Sequence, residues 1–392
     1  MRSVDLLTDL ARGWCLAPLV LLGAAASSLL PAHGLSAQNF VPGPDSDGPY
    51  VYWESESSAI VFYSCRGEVT PPQRASVRGP SLIRGFCGDT DTEYLLDPRA
   101  PEVEHDTFED VSRIFAVSDI HGEYDALERL LVNAGVVDQD LKWSWGDGHL
   151  VILGDVFDRG GRVTECLWLI HRLEREARES GGRVHYLLGN HEVMVLQGDL
   201  RYVNPRYLDG IVGETSIHYD DLFGPAMELG QWLRTKHLAI RLNGVLYVHG
   251  GMSPEMVTRD LDIKEINAQG REGIDLRTYD FVFKDLPGFI FGSEGPLWYR
   301  GYHEALEYPQ ATQEDVESTL EHFDATAVVV GHTDIGEIRS LYDGRVFGID
   351  VDVDTLGNLQ GLLWEEGNFY KVRGDGSREL MRSGNGGEGQ ES

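Results

Sequence analysis

Five short apolar runs recur along the chain, and each breaks off into a cluster of polar residues. Ile114–Ser118, His149–Leu153, Val184–Leu188, Val245–Val248 and Ala327–Val330 have the length and β-branched content of buried strands. Between the first three, Glu123–Val136 and Arg162–Glu179 carry apolar residues at helical spacing. This predicts a strand-helix-strand-helix-strand series from Arg113 to Leu188, with right-handed connections. After His249 the pattern turns mixed, and after Gly331 short strands dominate: Ile338–Tyr342, Arg345–Val351, Asn358–Trp364 and Phe369–Val372. Two intervals, Gln197–Ala239 and Ser253–Ala325, are too long for simple connections and predict a cap beside a cleft.

The residues that follow the strands carry the chemistry. They are Asp119-Ile120-His121-Gly122, Gly154-Asp155-Val156-Phe157-Asp158-Arg159-Gly160, Gly189-Asn190-His191-Glu192, His249-Gly250-Gly251 and Gly331-His332-Thr333. In an open α/β sheet, ligands bind at the carboxyl ends of the strands. Carboxylate oxygens suit hard cations, a guanidinium matches phosphate, and glycines let backbone approach both. Taken singly, each cluster also reads as a solvated turn with a salt bridge, or as a hydrogen-bonded structural histidine. Five in series favour a metal centre that also holds an oxyanion.

The ordered set Asp-x-His-Gly, Gly-Asp-x-x-Asp-Arg-Gly, Gly-Asn-His-Glu, His-Gly-Gly and Gly-His resembles the signature of the phosphoprotein phosphatase branch of the calcineurin-like metallophosphoesterases. The run Leu187–Val203 is similar to that of the bacterial-type Shewanella-like protein phosphatases, and the resemblance covers about residues 110 to 375. It implies an α/β fold of two facing β-sheets flanked by helices. It also implies that Asp119, His121 and Asp155 hold one metal ion, and that Asp155 bridges to a second held by Asn190, His249 and His332. Manganese, iron, zinc and magnesium all accept such ligands, with manganese the expected activator in vitro. By the same resemblance a hydroxide bridging the metals attacks the phosphoryl group in line, His191 protonates the leaving oxygen, Asp158 orients His191 and Arg159 grips the phosphate. Glu192 supports the ligands from outside their set. A second phosphate-binding arginine is usual in this family, and its signature does not fix the position. Arg300 is the best candidate, because Gly295–Tyr302 joins a guanidinium to Trp298, Tyr299 and Tyr302, rings that would border the entrance; aromatic core packing with a surface arginine is the competing reading.

The chain ends have a different character. Arg2 and Arg12 precede a largely apolar run from Cys15 to Leu30, and Gly34-Leu35-Ser36-Ala37 offers small residues before Gln38. This predicts a signal peptide over 1–37 and a periplasmic or secreted protein with no stable membrane anchor after cleavage. A retained anchor is the competing reading, against which the run is short for a bilayer span of about 20 residues. A linker then occupies 38–47, a β-rich extension 48–109 with strands at Tyr50–Trp53 and Ala59–Tyr63 and a long turn from Pro71 to Gly85, the catalytic domain 110–373 with cap segments at about 197–239 and 253–325, and a disordered Gly-rich tail 374–392. In an oxidising compartment Cys65 and Cys87 are candidates for a disulfide, and Cys166, in an amphipathic helical pattern, for a small core residue.

Charge narrows the partners. A net charge of -31 argues against nucleic acid, whose binding relies on Lys and Arg, so positive potential for a phosphate must be local. The expected substrate is a phosphomonoester in a phosphoprotein or phosphopeptide, with phosphotyrosine favoured by the rings near Arg300. The alternatives are a small-molecule phosphatase or dinucleoside polyphosphate hydrolase, and a non-catalytic metal-binding interaction module. The filled ligand positions speak against the last.

Overall fold

The computed structural model describes residues 46–85, 92–209, 213–215, 217–276, 285–304, 308–351 and 360–383. The expected signal peptide and Cys87 lie outside the described residues. Two six-stranded mixed sheets form the centre. The first runs Arg183–Tyr186, His149–Ile152, Arg113–Val117, Gln360–Glu365, Asn368–Arg373 and Arg378–Arg382, the first three parallel and the rest antiparallel. The second runs Arg339–Leu341, Val346–Gly348, Ala327–Val330, Val245–Val248, Ala239–Leu242 and Thr107–Phe108, with its second, third and fourth strands parallel to one another.

Alternate residues of these strands serve two interiors. Ile114, Ala116 and Val151 meet Val245, Tyr247, Ala327 and Val329 between the sheets, where Phe347 and Phe369 stack at 4.3 Å. Phe115, Val117, Leu246, Val248, Val328 and Val330 point outward into the larger core, which includes Leu127 and Leu130 of the helix Tyr124–Ala134 and Leu167 and Ile170 of the helix Val163–Glu179. With both faces covered, the strands read as unbroken apolar runs rather than as alternating ones. Cys166 is a free, fully buried residue of that second helix, and burial pushes its thiol up. No helix among the described residues is long and apolar enough to cross a membrane.

The small N-terminal sheet is built on Ser46–Ser55 and Ser58–Cys65, and it docks on the helix Val163–Glu179 through the Trp168 indole N–H, which donates to the Pro49 carbonyl at 3.0 Å. Several expected boundaries move. Ser46 and Asp47 belong to a strand rather than to the linker, because their backbone pairs with Cys65 and Ser64. The expected turn from Pro71 to Gly85 contains the strands Gln73–Ser76 and Ser81–Arg84, which are short, half-exposed and too polar to show an apolar period. Thr107–Phe108 pairs with Arg241–Leu242 of the second central sheet, so the extension does not end cleanly at 109. Arg378–Arg382, assigned to the disordered tail, is an edge strand on Asn368–Arg373; its exposed polar face hides the pairing from composition. Cys65 is disulfide-bonded.

At the start of the strand His149–Ile152, the Nδ1 of His149 lies 3.0 Å from Nε2 of His185, and Glu104 stands 3.9 Å beyond. Burial pushes His149 down to about 4, so it is neutral in the fold, whereas an unfolded histidine titrates near ~6.5. Between those values the unfolded chain binds the extra proton, and the stability His149 contributes above pH ~6.5 is lost as pH falls toward its folded value. The cost of His149→Asn in urea unfolding is therefore expected to shrink from pH 7.5 to pH 5. A cost that stays constant with pH contradicts the neutral assignment.

Candidate active site

The loops that end the parallel strands are tight. Asp119, His121, Asp155, Asp158, Arg159 and His332 all adopt left-handed backbone conformations, with φ between 47° and 72°. Each costs roughly 1–2 kcal/mol in a non-glycine residue, and such strain persists where surrounding contacts over-determine it. Two glycines permit the loops to touch. Gly154 has φ +90°, and a Cβ there would lie 2.2 Å from the Gly189 nitrogen; a Cβ on Gly331 would lie 2.0 Å from Ser118 Oγ and 2.5 Å from Asp119 Oδ2.

Glu192 fastens two of these loops together. Its fully buried carboxylate accepts the N–H groups of Asp155 at 2.8 Å, Val156 at 2.7 Å, Phe157 at 3.2 Å and Gly189 at 2.6 Å, and the Tyr186 hydroxyl at 2.9 Å. Glu192→Ala orphans all of these donors, each at a cost of about 1–3 kcal/mol. A loss of at least ~3 kcal/mol in urea unfolding is expected, with Glu192→Gln recovering part of it; an Ala variant as stable as the parent contradicts this role.

Two groups of ligating atoms surround Asp155. Those of His121, Asp155 and His191 lie within 4.8 Å of one another, as do those of Asp155, His249 and His332. Carbonyl oxygens fix two of the rings: Nδ1 of His121 donates to Phe157 at 2.8 Å and Nδ1 of His249 to Leu153 at 2.7 Å, which turns each Nε2 toward Asp155 Oδ2, at 3.9 and 3.3 Å. Asn190 Oδ1 is 2.8 Å from the same Nε2 of His249. Nε2 of His332 is buried with no hydrogen-bond partner. Asp119 stands beside the triads rather than in them, its Oδ2 accepting the Ser118 hydroxyl and, at 3.0 Å, the His332 N–H. Burial opposes a charge on His249, but Asp155 and Asp119 raise it to about 10. Surroundings negative enough to hold a proton there also attract a cation. This donor set of imidazole, carboxylate and amide oxygen, with an orphaned ring nitrogen, fits divalent metal ions.

His191 Nδ1 lies 2.6 Å from Asp158 Oδ2, and its Nε2 lies 3.8 Å from Asp155 Oδ2. Burial alone would lower its proton affinity, but Asp155 and Asp158 raise it above the ordinary histidine value. Arg159 and Arg300 line the same cleft, of about 370 Å³. The Arg159 side chain is exposed, while Arg300 Nη1 is held by the His332 carbonyl at 2.8 Å and by Thr333 Oγ1 at 3.2 Å. Of the rings expected at the entrance, Trp298 lines the cleft, edge-on to His332 at 5.5 Å. Tyr299 and Tyr302 do not: both are buried, and the Tyr302 hydroxyl donates to the Met252 carbonyl at 2.7 Å.

The cleft also contains residues that the sequence reading passed over. Tyr202 packs its ring 5.2 Å from that of His191 and accepts the Arg159 N–H at its carbonyl. Asp350 also lines the cleft, and burial together with Asp119, Asp334 and Asp155 pushes its carboxyl well above the usual range. A signal for Asp350 was present: Val346-Phe347-Gly348-Ile349 is a further apolar run ending in an acidic residue, obscured when the strand is extended to Val351.

Imidazole–carboxylate triads beneath a pair of guanidiniums, at the carboxyl ends of two facing sheets, suit hydrolysis of a phosphate ester and define a metallophosphoesterase. The chain belongs to the calcineurin-like phosphoesterases, whose family model matches residues 112–335. It is 30% identical over 246 residues to an uncharacterized protein of Schizosaccharomyces pombe, covering 60% of this chain and 72% of that one. It is 26% identical over 250 residues to Shewanella-like protein phosphatase 1 of Plasmodium berghei, covering 63% and 68%. Among solved structures, the cold-active protein-tyrosine phosphatase of a psychrophilic Shewanella species superposes with a TM-score of 0.80 at 35% identity, covering 86% of this chain and all of that one. The protein is a phosphatase of a family that uses a dinuclear metal site.

Proposed function

We propose that the protein is an exported phosphatase for phosphomonoesters in proteins or peptides, with a preference for phosphotyrosine. The observation that carries the preference is the cleft itself, where Tyr202 and Trp298 supply two aromatic side chains beside Arg159 and Arg300. Rings in these places can pack on a phenyl leaving group, which a phosphoserine side chain lacks. The 35% identity to a protein-tyrosine phosphatase along the whole of that chain supports the same reading.

In this reading His121 and Asp155, with Asp119 beside them, hold one cation, and Asp155, Asn190, His249 and His332 hold the other; manganese is the expected activator in vitro. The bound ions supply Lewis acidity to the phosphoryl group and to the attacking water. Arg159 and Arg300 orient the phosphate from the open side by paired N–H donors. His191 keeps a proton on Nε2 because Asp158 fastens Nδ1, and it passes that proton to the leaving oxygen. Tyr202 packs against the His191 ring.

Phosphate release from a phosphotyrosine peptide and from the same peptide with phosphoserine, compared with formation of mononucleotide products from a dinucleoside tetraphosphate, tests the preference. The highest kcat/KM is expected on phosphotyrosine. Preference for the dinucleotide overturns the substrate class and leaves the site assignment standing. Export is tested separately by expressing the full chain in a Gram-negative host. Amino-terminal sequencing of the periplasmic protein is expected to begin at Gln38, and a cytosolic protein that keeps Met1 contradicts it.

A further inference from the structure

Three neighbouring parallel strands of the second central sheet end at the cleft. Val245–Val248 leads into His249 and Ala327–Val330 into His332, both in one triad with Asp155. Val346–Gly348, the next strand of the same sheet, leads two residues later to Asp350. Asp350 is 8% exposed and lines the cleft with Asp119, His332 and Asp334. Among the described residues no N–H or hydroxyl donates to its carboxylate and no lysine or arginine pairs with it, and of the charges that act on it the carboxylates of Asp119, Asp334 and Asp155 oppose its ionisation more strongly than His249 favours it. A buried carboxylate in such company opposes folding unless a cation compensates it. It is not itself one of the converging ligands, whose atoms lie within 4.8 Å of one another.

We infer that Asp350 is an outer carboxylate of the metal centre, acting through space or one intervening water on the cation held at His332. This rests on the two-metal reading above and adds a positioning residue to it. Its place at the end of the next parallel strand sets it on the His332 side, where it offsets part of the cation's charge and favours its retention.

Asp350→Asn keeps the shape and removes the charge. Calorimetric titration of metal-stripped full-length protein with manganese is expected to show one of two equivalents binding about 10–100-fold more weakly in this variant. The metal-free thermal midpoint is expected to stay the same or rise, since a buried acid crowded by other carboxylates has been replaced by a neutral amide. Asp334→Asn, at the exposed rim, is expected to shift manganese affinity by less than about fivefold. A carboxylate that merely held the fold would give the opposite pair of results, a lower metal-free midpoint with an unchanged manganese isotherm, and that pair overturns the inference. An unchanged isotherm overturns it whatever the midpoint does. Failure of the unaltered protein to take up two equivalents would instead remove the two-metal reading itself.

Discussion

Asp155→Asn is expected to lower phosphate release at saturating manganese by more than ~100-fold, beyond the ~10–100-fold typical of losing a group outside a ligand set. Asp155 is the one residue common to both triads, 2% exposed, and its Oδ2 faces the Nε2 atoms of His121, His191 and His249. Asn fills the same space but is neutral, so a cation in either triad loses its nearest anionic oxygen. The fold should survive, since Asn retains an acceptor for the His191 N–H that Asp155 Oδ1 now receives at 2.9 Å. Activity within tenfold of the parent at equal manganese would contradict a shared role.

His191→Ala is expected to separate substrates by leaving group. On a phosphotyrosine peptide, whose phenol has a pKa near ~10, loss of a positioned acid typically costs about 10²–10⁴-fold. On p-nitrophenyl phosphate the departing oxygen spreads its charge over the ring and nitro group, and a much smaller loss is expected. The hydrogen bond from Nδ1 to Asp158 predicts that Asp158→Asn follows the same order with smaller losses, because Asp158 acts through the histidine. Equal losses on the two substrates would make His191 a metal ligand or a structural residue. Its place in the first triad makes that outcome informative.

The parallel strands and their terminal motifs were legible because burial on both faces leaves nothing but apolar residues between Ile114 and Val117 or between Ala327 and Val330, and the polar break that follows is abrupt. The expected site residues line one cleft or, for Asp158 and His249, touch residues that line it, and all but Arg300 do so because they follow the end of such a strand in sequence. Arg300 arrives from a long interval that has no strand among its described residues, and its aromatic neighbours divide between cleft and core: Trp298 meets His332 while Tyr299 and Tyr302 pack inward. Sequence spacing could not separate these faces, since the segment has no regular period to assign them. Tyr202 was hidden for the same reason. Glu192 shows a further limit: its adjacency to His191 marked it as supporting, but the hydrogen bonds through which it joins two loops depend on residues 35 to 37 positions away. The edge strands Gln73–Ser76 and Arg378–Arg382 were missed because half-exposed pairing leaves little hydrophobic trace.

Metal reconstitution tests the central claim most directly. The full-length protein is stripped with chelator, residual metal is measured, and hydrolysis of p-nitrophenyl phosphate is followed as manganese is added by equivalents. The expected result is negligible turnover in the stripped protein, restored to a plateau at two equivalents per chain. Full turnover in protein that retains less than about a tenth of an equivalent of any metal would contradict a phosphatase built on the two triads around Asp155.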